Sequence, residues 1–562
     1  MLHLNFLKYV SASLLSFKNN NTCIFKHFCY KFKIKMGESS CLSVCWAYCL
    51  SVCLSQLCCG INWCDGSAER KITNILKSTS DLRSTTNIAP ETHKDWLHRY
   101  HLSSIRSNAI RHLNFKGLNV LELGAGMGAC SRFIAENAVH LTAVEGTEPR
   151  MNALRTRLRD LNNWDGIVLN YQDFKTDQKY DVVCFFGVFE YSGKFIKAEK
   201  PFEWAINHAK SFLKDDGVLL ISIENKNGLK YFAGLSEDHH PQPYYGICGY
   251  PETKDTKTFS RKEMIDMLNG CGLQSVDVQH LAPDYKCTRA VITDKFMQDH
   301  PIISANIMSN YPWEDYCSHS TAKFPTKLAS VSLAKSGLLG EFSNSYLFIS
   351  STEENSKIKK SLLKAVNEDK SFAFLYTHGR KNNIVSKFIK KDKEYVVHKE
   401  WLTTAPTDLE KRKFMKNILE DTPLYDGTEL MYLFLNYAYY GKNNELMSLL
   451  YKYLDFAFDK YKTDNPNKLQ GRAFDAIPRN TTFKDGQFFF FDEEFETLFD
   501  MTKSHFLYRV AWVDFGGLLP YFKNFEFGSL ESFYEHLCAE FKVKKGDVRK
   551  LSELDRSVYR EM

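Results

Sequence analysis

Cysteine, net charge and arginine are all unevenly scarce in this chain, and each scarcity excludes something. Past residue 64 only seven of the 16 cysteines remain, scattered and without a Cys-x-x-Cys spacing. Isolated cysteines suit a reducing compartment, so a cytoplasmic location is expected, and they argue against a zinc module in the body of the chain. Net charge is missing where it would matter. The formal total is +6, but residues 1–36 hold six lysines and no acid, and setting those aside leaves 67 basic against 67 acidic residues. A neutral body gives no electrostatic footprint for nucleic acid, and none is expected as a partner. Arginine is absent before Arg70, which fits a transit peptide poorly.

The remaining nine cysteines crowd between Cys23 and Cys64, where "CLSVCWAYCLSVCLSQLCC" repeats Cys-Leu-Ser-Val. A tandem TGTC repeat read in frame encodes that tetrapeptide, so residues 1–70 read as a low-complexity, disordered or artefactual segment, with Met36 a plausible start. Residues 39–64 also carry no charge and follow a lysine-rich flank. A membrane anchor is the second reading of that stretch, and a disulfide or metal module the third.

At 562 residues the chain has room for roughly two to four domains of ~150 residues. From about residue 85 short apolar runs alternate with amphipathic stretches. "LNVLELG", "LTAVEG", "GIVLNY", "YDVVCFFGVFEY", "GVLLISIEN" and "LQSVDVQHL" read as strands, and "HLSSIRSNAIRHL", "EPRMNALRTRLRDL" and "RKEMIDMLNGCG" as helices. That alternation predicts an α/β domain over 85–352 with a mixed, mainly parallel sheet. Residues 286–340 look like an insertion before a last strand, "SNSYLFISS". A polar linker is expected at 353–365. Beyond it, three strand-like runs and a helical stretch predict a separate α+β domain over 366–562, with a hairpin turning at "KDGQ".

Three glycines, Gly124, Gly126 and Gly128, follow the first strand and precede a helix. Glycines there allow the backbone to approach a ligand and leave helix N-terminal amides facing it; a tight β–α turn alone is the bland alternative. Glu145 ends the next strand, 21 residues after Gly124, where an acid can accept both ribose hydroxyls of an adenosine group. The third glycine comes one residue too early for a dinucleotide loop. Glu122 would oppose a pyrophosphate, yet suits the cationic amino-acid end of S-adenosylmethionine. Asp173 follows the third strand, placed for an adenine amino group. Gly187 and Glu190 follow the fourth, where the methyl would lie.

With these four motifs in order, residues 95–350 resemble the class I S-adenosylmethionine-dependent methyltransferases, a Rossmann-like fold. "SIENKNGLKYFAGLSEDHH" is similar to a segment of bacterial methyltransferases encoded with polysaccharide and O-antigen genes. The resemblance implies a glycan, a phosphorylated sugar or another small polar molecule as acceptor. Lys230, His239 and His240 are then candidates to bind or deprotonate it.

The second domain resembles the kinase-like phosphotransferases. Lys399 ends the third meander strand, Asp475 stands five residues before Asn480, and Asp492 follows twelve residues later past the hairpin. The resemblance implies that Lys399 holds ATP phosphates, Asp475 takes the acceptor proton, and Asn480 and Asp492 bind Mg²⁺. Phe474 and Ala473 stand where a basic residue is usual, and Asp-Glu-Glu replaces Asp-Phe-Gly. Glu410 is a candidate partner for Lys399. The domain order resembles the bifunctional kinase–methyltransferases that cap bacterial O-antigen chains, in which the terminal sugar is phosphorylated and its phosphate methylated. A methyltransferase with a catalytically dead kinase-like domain, and a non-catalytic binding module, are the competing readings.

Overall fold

Alternation of apolar residues along the first strands dictates a sheet covered on both faces. In β1 (Asn119–Leu123) Val120 faces one core, while Leu121 and Leu123 face the other; β4 (Tyr180–Phe186) repeats the division with Val182 and Cys184 against Val183 and Phe185. Strands buried on both faces are the mark of a parallel sheet with helices either side. The computed structural model describes residues 66–88, 95–253, 255–380, 383–403 and 411–561. The cysteine repeat, the proposed anchor at 39–64 and Glu410 lie outside these.

β2 (His140–Glu145), β3 (Trp164–Val168) and β5 (Leu213–Glu224) complete a parallel set in the order β3-β2-β1-β4-β5. β6 (Ser275–Ala282), β7 (Ala290–Thr293) and β8 (Ser345–Ser351) follow in the chain. β8 slots antiparallel between β5 and β6, with Ile221 opposite Phe348 and Val278 opposite Phe348 on its other edge. The sheet is thus mixed and mainly parallel in its methyltransferase-like half, a Rossmann-like arrangement. "SNSYLFISS" is a strand as expected, but a central one.

Two sequence readings change. The stretch 286–340 is more than an insertion, because it holds β7, and β7 pairs antiparallel with β9 (Ser371–Tyr376) through Ala290–Leu375, Val291–Phe374 and Ile292–Ala373. The meander β9, β10 (Ile384–Lys391) and β11 (Glu394–Trp401) therefore extends the same sheet, which reaches 12 strands. A four-residue strand between unreadable loops leaves no periodicity to detect. The stretch 353–365 is no extended tether either: Lys357–Leu362 and Lys364–Asn367 are short helices, and Leu362 is buried in the methyltransferase-side core. Farther upstream, the helix Ser67–Ser78 begins inside the segment read as low-complexity, with Glu69 buried against Arg150. The helix expected over "HLSSIRSNAIRHL" does not form as one element: an α-helix, Trp96–Leu102, ends on its first two residues, and Ser104–Ala109 is 3₁₀.

Helices Leu430–Tyr440, Asn443–Lys460, Lys503–Arg509, Leu530–Glu540 and Val548–Tyr559 pack into a second core with the hairpin Thr481–Lys484/Gln487–Phe490. Asp485 and Gly486 both take positive φ at its tip, 50° and 82°, which the two-residue turn requires. No helix among the described residues is long and apolar enough to cross a membrane.

Phe374 tests the sheet's continuity. It lies in the part expected from sequence to form a separate α+β domain, yet it is 1% exposed in the methyltransferase-side core, beside His112. Phe374→Ala should cost about 3–5 kcal/mol and speed hydrogen exchange in β6–β8 as well as β9 and β10. Faster exchange confined to β9–β11 would mean two independent folding units.

Candidate functional site

Gly124, Gly126 and Gly128 all adopt positive φ, 78°, 58° and 78°, so the loop after β1 is closed to most other residues. At Gly124 sterics add to this: a Cβ would lie 2.6 Å from a Val188 methyl. The loop is fastened to the end of β2. Glu145 accepts a hydrogen bond from the Gly126 amide (2.9 Å) through Oε2, and from the Thr147 amide (3.1 Å) and hydroxyl (3.2 Å) through Oε1. Glu122 lies beneath the loop, 2% exposed, accepting from the Ser131 hydroxyl at 2.5 Å. Burial pushes its carboxyl up to about 8; neighbouring Glu145 adds to the rise and the Ser131 hydrogen bond opposes it. Asp173 sits exposed in the short 3₁₀ turn Tyr171–Asp173 after β3. Gly187 (φ 74°) ends β4 directly against Tyr285, whose hydroxyl donates to Glu190 at 3.4 Å.

Glu190 leads into a buried ionic cluster. His239 Nε2 lies 3.8 Å from Glu190 Oε1 and 3.9 Å from Glu224 Oε1, while its Nδ1 faces Glu237 at 3.1 Å. Burial opposes protonation of His239, but the Glu237 and Glu224 carboxylates outweigh it and raise the imidazole to about 9. Burial, with Glu224 nearby, holds Glu190 above the usual carboxylate range. Lys286 bridges Glu224 and Asp238, 2.5 Å from each, and Lys230 meets the other oxygen of Asp238 at 2.7 Å. Lys230 is 1% exposed and wholly engaged, so it positions Asp238 rather than facing open space. His240 does not join the cluster: it packs against the rings of Tyr245 (4.4 Å) and Tyr250 (6.1 Å). Glu224, Glu237 and Asp238 all stand in the quoted "SIEN…EDHH" segment, and their acid character was the available signal. Lys286 and Tyr285 had none, being brought in by the loop before β7.

A second cluster lies in a cleft of about 580 Å³ between the meander, the helical core and helices Pro301–Ser309 and Thr326–Lys335 of the former insertion. Asp492 and Asn480 line it. The Lys399 ammonium reaches Asp492 at 3.3 Å. Asn480 donates to the backbone carbonyl of Asp475 at 2.9 Å and to its carboxylate at 3.3 Å. The other Asp475 oxygen accepts from the amides of Glu494 (2.7 Å) and Phe495 (3.1 Å). Burial, then the charges of Asp492 and Glu494, push Asp475 up to about 7. All four residues picked from spacing thus converge. Sequence reasoning missed Arg509, whose guanidinium lies 3.5 Å over the Phe474 ring and donates to the Phe474 carbonyl, fixing the loop from a distant helix.

Residues 121–219 match the family model of a methyltransferase domain. The chain carries an S-adenosylmethionine-dependent methyltransferase domain. Among solved structures it is similar to an S-adenosylmethionine-dependent methyltransferase from Thermotoga maritima described as a possible histamine N-methyltransferase, at 14% identity over 45% of this chain and 92% of that one, TM-score 0.28. It is also similar to the N-methyltransferase NodS from Bradyrhizobium japonicum bound to S-adenosyl-L-homocysteine, at 14% identity over 28% and 74%, TM-score 0.21. A third is 1,6-didemethyltoxoflavin-N1-methyltransferase from Burkholderia thailandensis, at 15% identity over 44% and 85%, TM-score 0.23. No curated protein matches the chain.

Glu122 gives this methyltransferase a pH signature. Its folded-state pKa is raised from 4.5 to about 8. The unfolded chain therefore ionises first, and the carboxyl costs stability progressively as pH rises between those values. Glu122→Gln keeps the acceptor for Ser131 and cannot ionise. Thermal unfolding at pH 5, 6.5 and 8 should show the variant gaining on the wild type as pH rises. A constant difference across that range would contradict the assignment.

Proposed function

We propose that the enzyme methylates a phosphorylated sugar or another small polar acceptor, and that its C-terminal part is a kinase-like domain supplying the phosphate. In this reading the donor lies over Gly124, Gly126 and Gly128. Glu145 takes the ribose hydroxyls, Asp173 the adenine amino group and Glu122 the amino-acid end. Gly187 and Glu190 border the methyl. His239 and Lys286 face the acceptor, and Lys230 acts through Asp238. In the cleft, Lys399 holds the nucleotide phosphates, Asn480 and Asp492 hold Mg²⁺, and Asp475 receives the acceptor proton.

One observation carries the pairing of the two activities. The segment Tyr285–Arg289 contributes to both places: Tyr285 and Lys286 meet Glu190 and Glu224, and Arg289 lines the cleft. Lys286 and Arg289 are three residues apart, at most about 11 Å of chain. A phosphate is already ionised near neutral pH, so counter-charge and alignment can replace a strong base during methyl transfer. One feature favours a binding-only cleft instead: an Asp475 oxygen is already taken by two backbone amides.

The test uses the full chain, a nucleotide-depleted small-molecule extract and methyl-labelled donor. Label should enter the extract only when Mg-ATP is added. Asp475→Ala should abolish that labelling, yet methylate extract first treated with wild-type enzyme and Mg-ATP. Equal labelling with and without ATP would contradict the sequential scheme and leave a methyltransferase acting on an unphosphorylated acceptor.

A further inference from the structure

Two carboxylates at the heart of the acid cluster are not fully satisfied by the protein. Glu190 and Glu224 are both 0% exposed. Oε2 of each is buried without a hydrogen-bond donor. Lys286 attends only to Oε1 of Glu224, and Tyr285 only to Oε1 of Glu190. Leaving charged oxygens buried and unpartnered is costly, so such a pair calls for a cation.

The third member decides which kind. His239 turns Nε2 toward both carboxylates, and the ligand atoms of Glu190, Glu224 and His239 all lie within 4.8 Å of one another. Its separations of 3.8 and 3.9 Å from the two carboxylates exceed the cis separation of about 3.0 Å around an octahedral ion with bonds of about 2.1 Å, so shifts of less than about 1 Å would bring the three atoms onto one ion. Nδ1 is held by Glu237, which itself accepts from the Tyr250 hydroxyl (3.2 Å) and the His239 amide (2.7 Å). A carboxylate gripping the far nitrogen of an imidazole is the arrangement that orients metal-binding histidines.

We propose that Glu190, Glu224 and His239 form a divalent-cation site beside the end of β4. Two carboxylates and one imidazole suit Mn²⁺ or Mg²⁺, with the nitrogen favouring Mn²⁺. Three protein ligands leave positions for water and for an oxygen of the methyl acceptor, whether hydroxyl or phosphate. The site is separate from the cleft and does not depend on the kinase reading.

The experiment is Mn²⁺ titration of chelator-treated full-length protein carrying Asp492→Asn, which removes the cleft as a competing site, followed by electron paramagnetic resonance. One Mn²⁺ per chain is expected, with nitrogen hyperfine coupling from a single imidazole. Glu237→Gln should weaken binding about 10–100-fold, and His239→Ala should remove the nitrogen coupling. Binding of S-adenosylhomocysteine by each variant reports whether it is folded. No Mn²⁺ bound, Mn²⁺ bound without nitrogen coupling, or unchanged binding in His239→Ala would overturn the proposal. The first outcome would leave a protonated His239 as the cluster's own cation.

Discussion

The hydrogen bond from the Gly126 amide to Glu145 ties the ends of β1 and β2 into one surface. Everything on the methyltransferase side is arranged around it. Positive φ at Gly124, Gly126 and Gly128 lifts the loop over Glu122, and the parallel pairing of β1 with β2 puts Glu145 under the loop. The neighbouring strand β4 then delivers Gly187 and Glu190 at the same edge. Glu145 engages the loop with one oxygen and Thr147 with the other, so a ligand reaching this carboxylate meets a side chain already oriented.

The fold of the parallel half was readable because its strands are short apolar runs alternating with amphipathic stretches, and because the acids at their ends break that pattern visibly. The convergence of Lys399, Asp475, Asn480 and Asp492 followed from order and interval alone, although each is ordinary by itself. What stayed hidden depends on contacts between distant segments. β7 is four residues long, and its pairing with β9 turns two apparent domains into one sheet. Arg509 supports the Asp475 loop from 34 residues downstream, a relation no spacing rule encodes. Paired histidines at 239 and 240 could not be told apart in sequence, and only the packing of His240 against Tyr245 separates them.

The acid cluster and the cleft are chemically complementary. One gathers the side chains of Glu190, Glu224, Glu237 and Asp238 with two lysines and a histidine, largely out of solvent. The other opens to about 580 Å³ with Asp492, Asn480 and Arg289 on its walls. β7 and the loop before it join them, and β7 is paired on both edges, with β6 and with β9. An ion pair from Lys327 of helix Thr326–Lys335 to buried Glu429 fastens that helix to the helical core.

Calorimetry of S-adenosylhomocysteine binding to wild type and Glu145→Ala tests the donor site most directly. Loss of charge-assisted hydrogen bonds worth about 1.5–3 kcal/mol should weaken binding roughly tenfold or more. Unchanged affinity in a folded Glu145→Ala protein would contradict the placement of the donor over the glycine loop.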